Sequence, residues 1–120
     1  MTENILFAVL TAILMAIGQI FFKQASLFNE HHLNLGIVLR YFNNYWFFIG
    51  VSFFGLSTLT WVKALSGVNL SRIYPITSIA YIIVAVLSYF IFREKLTGMV
   101  WLGIFFIILG VIILMKSRLV

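Results

Sequence analysis

The chain has 120 residues, of which 63% are hydrophobic and only 9% charged, and a net charge of +5 at pH 7. Soluble domains carry about a quarter of their residues as charges, so the composition excludes a water-soluble domain and points to an all-α membrane protein forming one domain over residues 1–120. There is no cysteine, and the only histidines are the adjacent His31 and His32. Disulfides and thiolate metal sites are therefore excluded, and no metal or cofactor is expected. The basic residues stand singly or in pairs at the ends of apolar blocks, which argues for membrane anchoring and against nucleic acid.

The first apolar block runs from Ile5 to Phe22, about 27 Å of helix at about 1.5 Å per residue and close to one bilayer core. Glu3 precedes it and a basic n-region with a small-residue cleavage site is missing, so it reads as a retained helix rather than a signal peptide. Met15, Gln19 and Lys23 share one stripe at i, i+4 and i+8. Gln19 suits either an interhelical hydrogen bond or a polar cavity wall. Leu33 to Phe42 is too short to span, contains Arg40, and is expected to lie along the interface. Asn43-Asn44 forms a break, and Tyr45-Trp46 is the kind of aromatic pair that sits at headgroup level.

A second span is expected over 47–65. Its Gly50, Ser52, Gly55, Ser57, Thr58 and Thr60 let neighbouring backbones approach closely, which predicts a helix buried between others. Lys63 near its end either snorkels to headgroups or serves a site. The third span, 71–92, begins with Ser71-Arg72-Ile73-Tyr74-Pro75-Ile76-Thr77-Ser78, which combines a fixed positive charge with the chain's only proline. Irregular backbone and charge survive in lipid only against protein or a watery cavity, so this stretch is the default binding region. Pro75 reads either as a helix-start residue or as a kink with a gating role. After the charged turn Arg93-Glu94-Lys95, the fourth span covers 98–115. There Gly103 and Gly110, one heptad apart, mark a seam, either within one chain or between two. Lys116 and Arg118 close it.

Four spans place Lys63, Arg72, Lys116 and Arg118 on one membrane side and Lys23, Arg40, Arg93 and Lys95 on the other. The tie leaves orientation unset by the positive-inside rule. Dual insertion and an inverted dimer are therefore live expectations, because an inverted pair would reproduce the inverted repeats of larger transporters.

Several features resemble the drug/metabolite transporter superfamily, in its four-helix, small multidrug resistance-like class. They are Ala12 to Gly18 followed by Lys23, the Ile73-Tyr74 pair, the Arg93-Glu94-Lys95-Leu96 turn, and Gly103, Ile107, Gly110 and Val111. The acidic helix-one residue of proton-coupled exporters is replaced by Met15, and Thr77 stands where those exporters carry a tryptophan. A methionine cannot titrate, so cation-for-proton exchange by the usual route is not expected. Gly18-Gln19 with Lys23-Gln24-Ala25, and Tyr74-Pro75 with a nearby serine, are more similar to the EamA-like flippase subunits that move undecaprenyl phosphate-linked aminoarabinose across the bacterial inner membrane for lipid A modification. Arg72 departs from that pattern, where an apolar residue is usual.

The resemblance implies a non-enzymatic, multi-pass inner-membrane translocator of a polyprenyl phosphate-linked sugar or similar anionic lipid. It implies a homodimer, inverted or not, or a heterodimer with a related small subunit. Independently of the resemblance, the planar guanidinium of Arg72 suits bidentate contact with a phosphate. Gln19 and Tyr74 suit hydrogen bonds to a sugar, with Thr77 and Lys63 as further binding residues. The same cations also suit plain anchoring in anionic lipid. The alternatives are a multidrug or metabolite exporter with atypical coupling and a non-transporting accessory subunit. No nucleophile, base and orienting group converge within the spans, so an enzyme is not expected.

Overall fold

A computed structural model of the chain describes residues 2–34 and 36–117. Arg118, expected to close the last helix, lies outside the described residues. Six α-helices and one 3-10 segment follow in order: α1 (Thr2–His31), α2 (Ile37–Phe42), α3 (Tyr45–Ala64), α4 (Leu70–Ile73), the 3-10 segment (Tyr74–Ser78), α5 (Ile79–Ile91) and α6 (Gly98–Met115). Four stretches are long and apolar enough to cross a bilayer, namely α1, α3, the continuous run Leu70–Ile91 and α6. The protein is thus an all-α membrane protein with four transmembrane helices, and the short α2 lies between the first two spans.

Helix α1 continues to His31 rather than ending at Phe22. Its apolar run stops where expected, but Lys23-Gln24-Ala25-Ser26-Leu27-Phe28 lacks glycine and proline and is rich in good helix formers, so the helix carries on beyond the hydrocarbon. Two small-residue ridges explain what it buries. Ala8, Ala12 and Ala16 recur at i, i+4 and i+8, while Thr11, Gly18 and Ala25 recur every seven residues, and all six are buried.

The second ridge meets α3 in an antiparallel seam, built at three levels. Near one end, the Asn4 Nδ2 donates to the carbonyls of Ala64 (2.9 Å) and Ser66 (2.7 Å), and Thr11 Oγ1 meets Thr60 Oγ1 at 2.7 Å. At the centre, a Cβ on Gly18 would come 2.7 Å from the Phe54 ring, and one on Gly50 would come 2.7 Å from the Phe22 ring. Each glycine is therefore the socket for a phenylalanine of the opposite helix, and the two rings stack with centroids 5.0 Å apart. At the far end Asn44 is fully buried. Its Nδ2 donates to Ala25 O (2.8 Å) and Asn29 Oδ1 (3.1 Å), and its Oδ1 caps the start of α3 by accepting from Phe47 N. The residue expected to be a chain break is thus also a clamp.

Pro75 lies one turn into the third span, near the start of its 3-10 segment. The helix begins at Leu70, and Pro75 is the second residue of the 3-10 segment Tyr74–Ser78 that follows. Proline has no N–H for the carbonyl four residues back and its ring crowds that carbonyl, so the chain tightens locally. Thr77 Oγ1 then donates to Tyr74 O (2.7 Å) and Ser78 Oγ to Pro75 O (2.6 Å), satisfying carbonyls that lipid could not. The same tightening turns Ile73 and Ile76, three apart, onto one face, where both are buried against Ala8 and Ala64.

Helix α6 is attached more lightly. It packs mainly on the 3-10 segment and buries only Ile104 and Val111. A Cβ on Gly103 or Gly110 would meet nothing within 4 Å, so their seam is not used within the chain. The molecule measures 53 × 35 × 18 Å. It is thus about half as thick as it is wide, a flat arrangement of helices.

Candidate functional site

Two adjoining clefts open beside the 3-10 segment. The first, about 240 Å³, is framed by Thr11 and Met15 of α1, Phe54, Ser57, Thr58 and Trp61 of α3, and Tyr74 and Thr77. The second, about 410 Å³, is framed by Met15 and Gln19, by Thr77 and Ser78, by Ala80, Tyr81 and Val84 of α5, and by Ile107 of α6. Met15 and Thr77 border both and form the ridge between them. The helix-one stripe read from the sequence therefore reaches the clefts through Met15 and Gln19, while Lys23 borders neither.

Of the expected binding residues, Gln19, Tyr74 and Thr77 come together here. Tyr74 meets Trp61 edge to face at 5.7 Å between ring centroids. Lys63, exposed in the last turn of α3, and Arg72, half-buried on α4, border neither cleft. Both stay at the end of the bundle where α1 begins. Pro75 shapes the wall without lining it, and Gly103 and Gly110 lie outside both clefts. Thr11, Ser57, Thr58, Trp61 and Tyr81 add further polar lining beside Ser78 of the Ser71–Ser78 stretch; no motif marks these five, because they come from three elements and share only a position around their helices.

The chemistry of the walls follows from where the hydroxyl protons go. Ser57 Oγ and Thr58 Oγ1 both donate to Phe54 O, at 2.7 and 2.9 Å, Thr77 and Ser78 donate to carbonyls of their own turn, and Thr11 Oγ1 lies 2.8 Å from Phe7 O. A hydroxyl has one proton and two lone pairs, so once its proton is committed to the backbone it presents acceptors to the cleft. Gln19, the tyrosine hydroxyls and the Trp61 indole supply the donors. No aspartate, glutamate, lysine, arginine or histidine lines either cleft, and the described residues contain no group able to hold a metal ion. The clefts are uncharged and mainly apolar, walled by Met15, Phe54, Ala80, Val84 and Ile107, with a few hydrogen-bonding groups set among them.

Comparison with known proteins gives a consistent picture. The profile of the EamA-like transporter family matches residues 7–116. The chain is 32% identical over 114 residues, 93% of its length and 96% of the relative's, to a probable 4-amino-4-deoxy-L-arabinose-phosphoundecaprenol flippase subunit of Yersinia pseudotuberculosis serotype O:1b. A protein of the same name from Serratia proteamaculans is 29% identical over 116 residues, covering 95% of this chain and 96% of the relative. One from Hamiltonella defensa is 38% identical over 69 residues, 58% of this chain and 62% of the relative. No solved structure matches.

Proposed function

Because the chain belongs to the EamA-like transporter family, we propose that this multi-pass membrane protein is a flippase subunit that moves a polyprenyl phosphate-linked sugar across the bacterial inner membrane. The observation that carries this reading is the pair of uncharged clefts meeting at Met15 and Thr77, mainly apolar but holding Gln19, Tyr74 and Thr77, with cations kept at the membrane boundary. A sugar exchanges its water hydrogen bonds for those of Gln19, Thr77 and Tyr74 inside the clefts. Its phosphate stays at the boundary, where Arg72 provides a planar donor fork and Lys63 a point charge. No bond in the cargo is made or broken, so no catalytic group is required.

The chain works as a dimer, either with a second copy, inverted or parallel, or with a related small subunit. A Cβ on Gly103 or Gly110 of α6 would meet nothing in the chain within 4 Å, and a partner against them adds a second wall. Small residues at these positions permit close helix contact in lipid.

The test is exposure of lipid-linked sugar on the outer leaflet of intact cells. Gln19→Leu and Thr77→Val are expected to reduce it about tenfold each, the loss of one or two directed hydrogen bonds. Arg72→Gln is expected to reduce it more than Arg72→Lys. If all four variants expose wild-type levels while the protein stays folded, the reading fails. A second reading, export of an organic cation, draws support from the Trp61 and Tyr74 rings, which can attract a cation through their faces. It predicts binding of quaternary ammonium compounds that neutral sugars do not displace.

A further inference from the structure

A further cleft, about 600 Å³, lies at the opposite end from Arg72, between the C-terminal part of α1, α2 and the start of α3. Its lining changes character along one stripe of α1. Phe22 and Ala25 come first, with Phe47 of α3 also lining the cleft, and Ser26, Asn29 and Glu30 follow toward the end of α1, where Leu33 and Ile37 add apolar side chains. The α1 residues recur at i, i+3, i+4, i+7 and i+8, so they stack up a single helix face. Across the opening stands Arg40 of α2, whose Nη2 donates to Leu33 O at 3.2 Å. The site thus offers apolar walls and a rim with one carboxylate and one guanidinium, both outside the uncharged clefts.

Its position in the membrane follows from its neighbours. Tyr45 and Trp46, the aromatic pair of the headgroup level, open α3 beside it, and Trp46 stacks on Phe21 with centroids 5.8 Å apart. Toward α3 the wall is aromatic, and toward α2 it mixes Asn29, Glu30 and Arg40 with the apolar Leu33 and Ile37. Asn44 ties the two helices together at the cavity's edge, so the opening is held by a buried clamp. An amphiphile with a hydrocarbon tail and a headgroup of both signs matches this arrangement end for end. A purely anionic head would meet Glu30, and a purely cationic one would meet Arg40.

The geometry points to this cavity as the loading site for a zwitterionic lipid headgroup, with Arg40 on its phosphate, Glu30 on its amine and the first tail carbons over Phe22 and Phe47. Resting on the function proposed above, the occupant is a polyprenyl phosphate-linked amino sugar. It is received at this membrane face, while Arg72 and Lys63 meet the phosphate at the other. The carboxylate at the rim selects cargo that carries a free amine.

The experiment uses the full chain in nanodiscs and measures binding of a polyprenyl phosphate-linked amino sugar, of the same lipid with its amine acetylated, and of phosphatidylethanolamine. Wild type is expected to prefer the free amine by about tenfold or more, the difference one charged hydrogen bond makes. Glu30→Gln is expected to abolish that preference without weakening the acetylated lipid. Arg40→Gln is expected to weaken both sugar lipids, and Arg40→Lys to restore part of the loss. If wild type binds the lipid-linked amino sugar and both Gln variants bind it equally well, the loading site is wrong and the proposed function stands. If wild type binds neither sugar lipid, the proposed function and the loading site fall together. If phosphatidylethanolamine binds as tightly with the same dependence on Glu30, the cavity is a phospholipid site and the cargo assignment is overturned.

Discussion

The α1–α3 seam and helix α6 are built from the same kinds of residue and behave in opposite ways. Both carry glycines amid large apolar side chains. In the seam Gly18 and Gly50 are each filled by a phenylalanine of the other helix, and the ends are fastened by Asn4 and Asn44. On α6, Gly103 and Gly110 face open space. Lipid tails are as apolar as leucine, so helices in a bilayer gain little from hiding hydrocarbon; close fit and hydrogen bonds decide which pairs hold. The seam is therefore the frame of the molecule, and α6 is the face that the proposed assembly would use.

The sharpest way to break this contrast is at Asn44. Asn44→Ala removes the cap of α3 and leaves buried polar groups on α1 without their donor, and the expected loss is about 2–4 kcal/mol. Thermal unfolding in detergent, followed by circular dichroism, would measure it; a change below about 0.5 kcal/mol would remove Asn44 from the frame. Next in size is Gly50→Leu, where the new side chain must displace the Phe22 ring and push the backbones apart, for an expected loss of about 1–3 kcal/mol. Gly103→Leu, judged by the same measurement, should change monomer stability by no more than about 0.5 kcal/mol. Smallest is Thr60→Val, which removes the hydroxyl pair with Thr11 and is expected to cost about 0.6 kcal/mol, a typical value for interhelical hydrogen bonds in membranes.

The four spans and the short segment before Tyr45 were legible in the sequence, because bilayer thickness leaves strong local patterns. What joins the spans was not. The second span's small residues did not predict its surroundings, since α3 packs mainly on α1 and buries only Gly50, Ser57 and Ala64 rather than lying between neighbours. Gly18 and Gly50 belong to different helices, so no spacing within either pairs them, and each looks like one small residue among several. Asn44 reads as a break because its partners, Ala25 and Asn29, lie in another helix. Tyr74 and Thr77 were legible as cleft candidates from their place around Pro75. The separation of Arg72 from that cleft was not, since the turn from α-helical to 3-10 geometry changes which residues share a face. The end of α1 was misjudged for a different reason: hydropathy reports where the bilayer stops, and helix propensity decides where the helix stops.

The contrast between frame and assembly face reduces to whether α6 meets another chain. The protein has no cysteine, so single substitutions report cleanly. Gly103→Cys and Gly110→Cys, oxidised in native membranes, are predicted to give a disulfide-linked dimer, with a second copy or, when the partnering position carries its own cysteine, with a related small subunit. Gly55→Cys is the control, an exposed α3 glycine that also faces open space. Cross-linking at both α6 positions and not at position 55 is the predicted result; no cross-link on α6, or an equal yield at position 55, would contradict it.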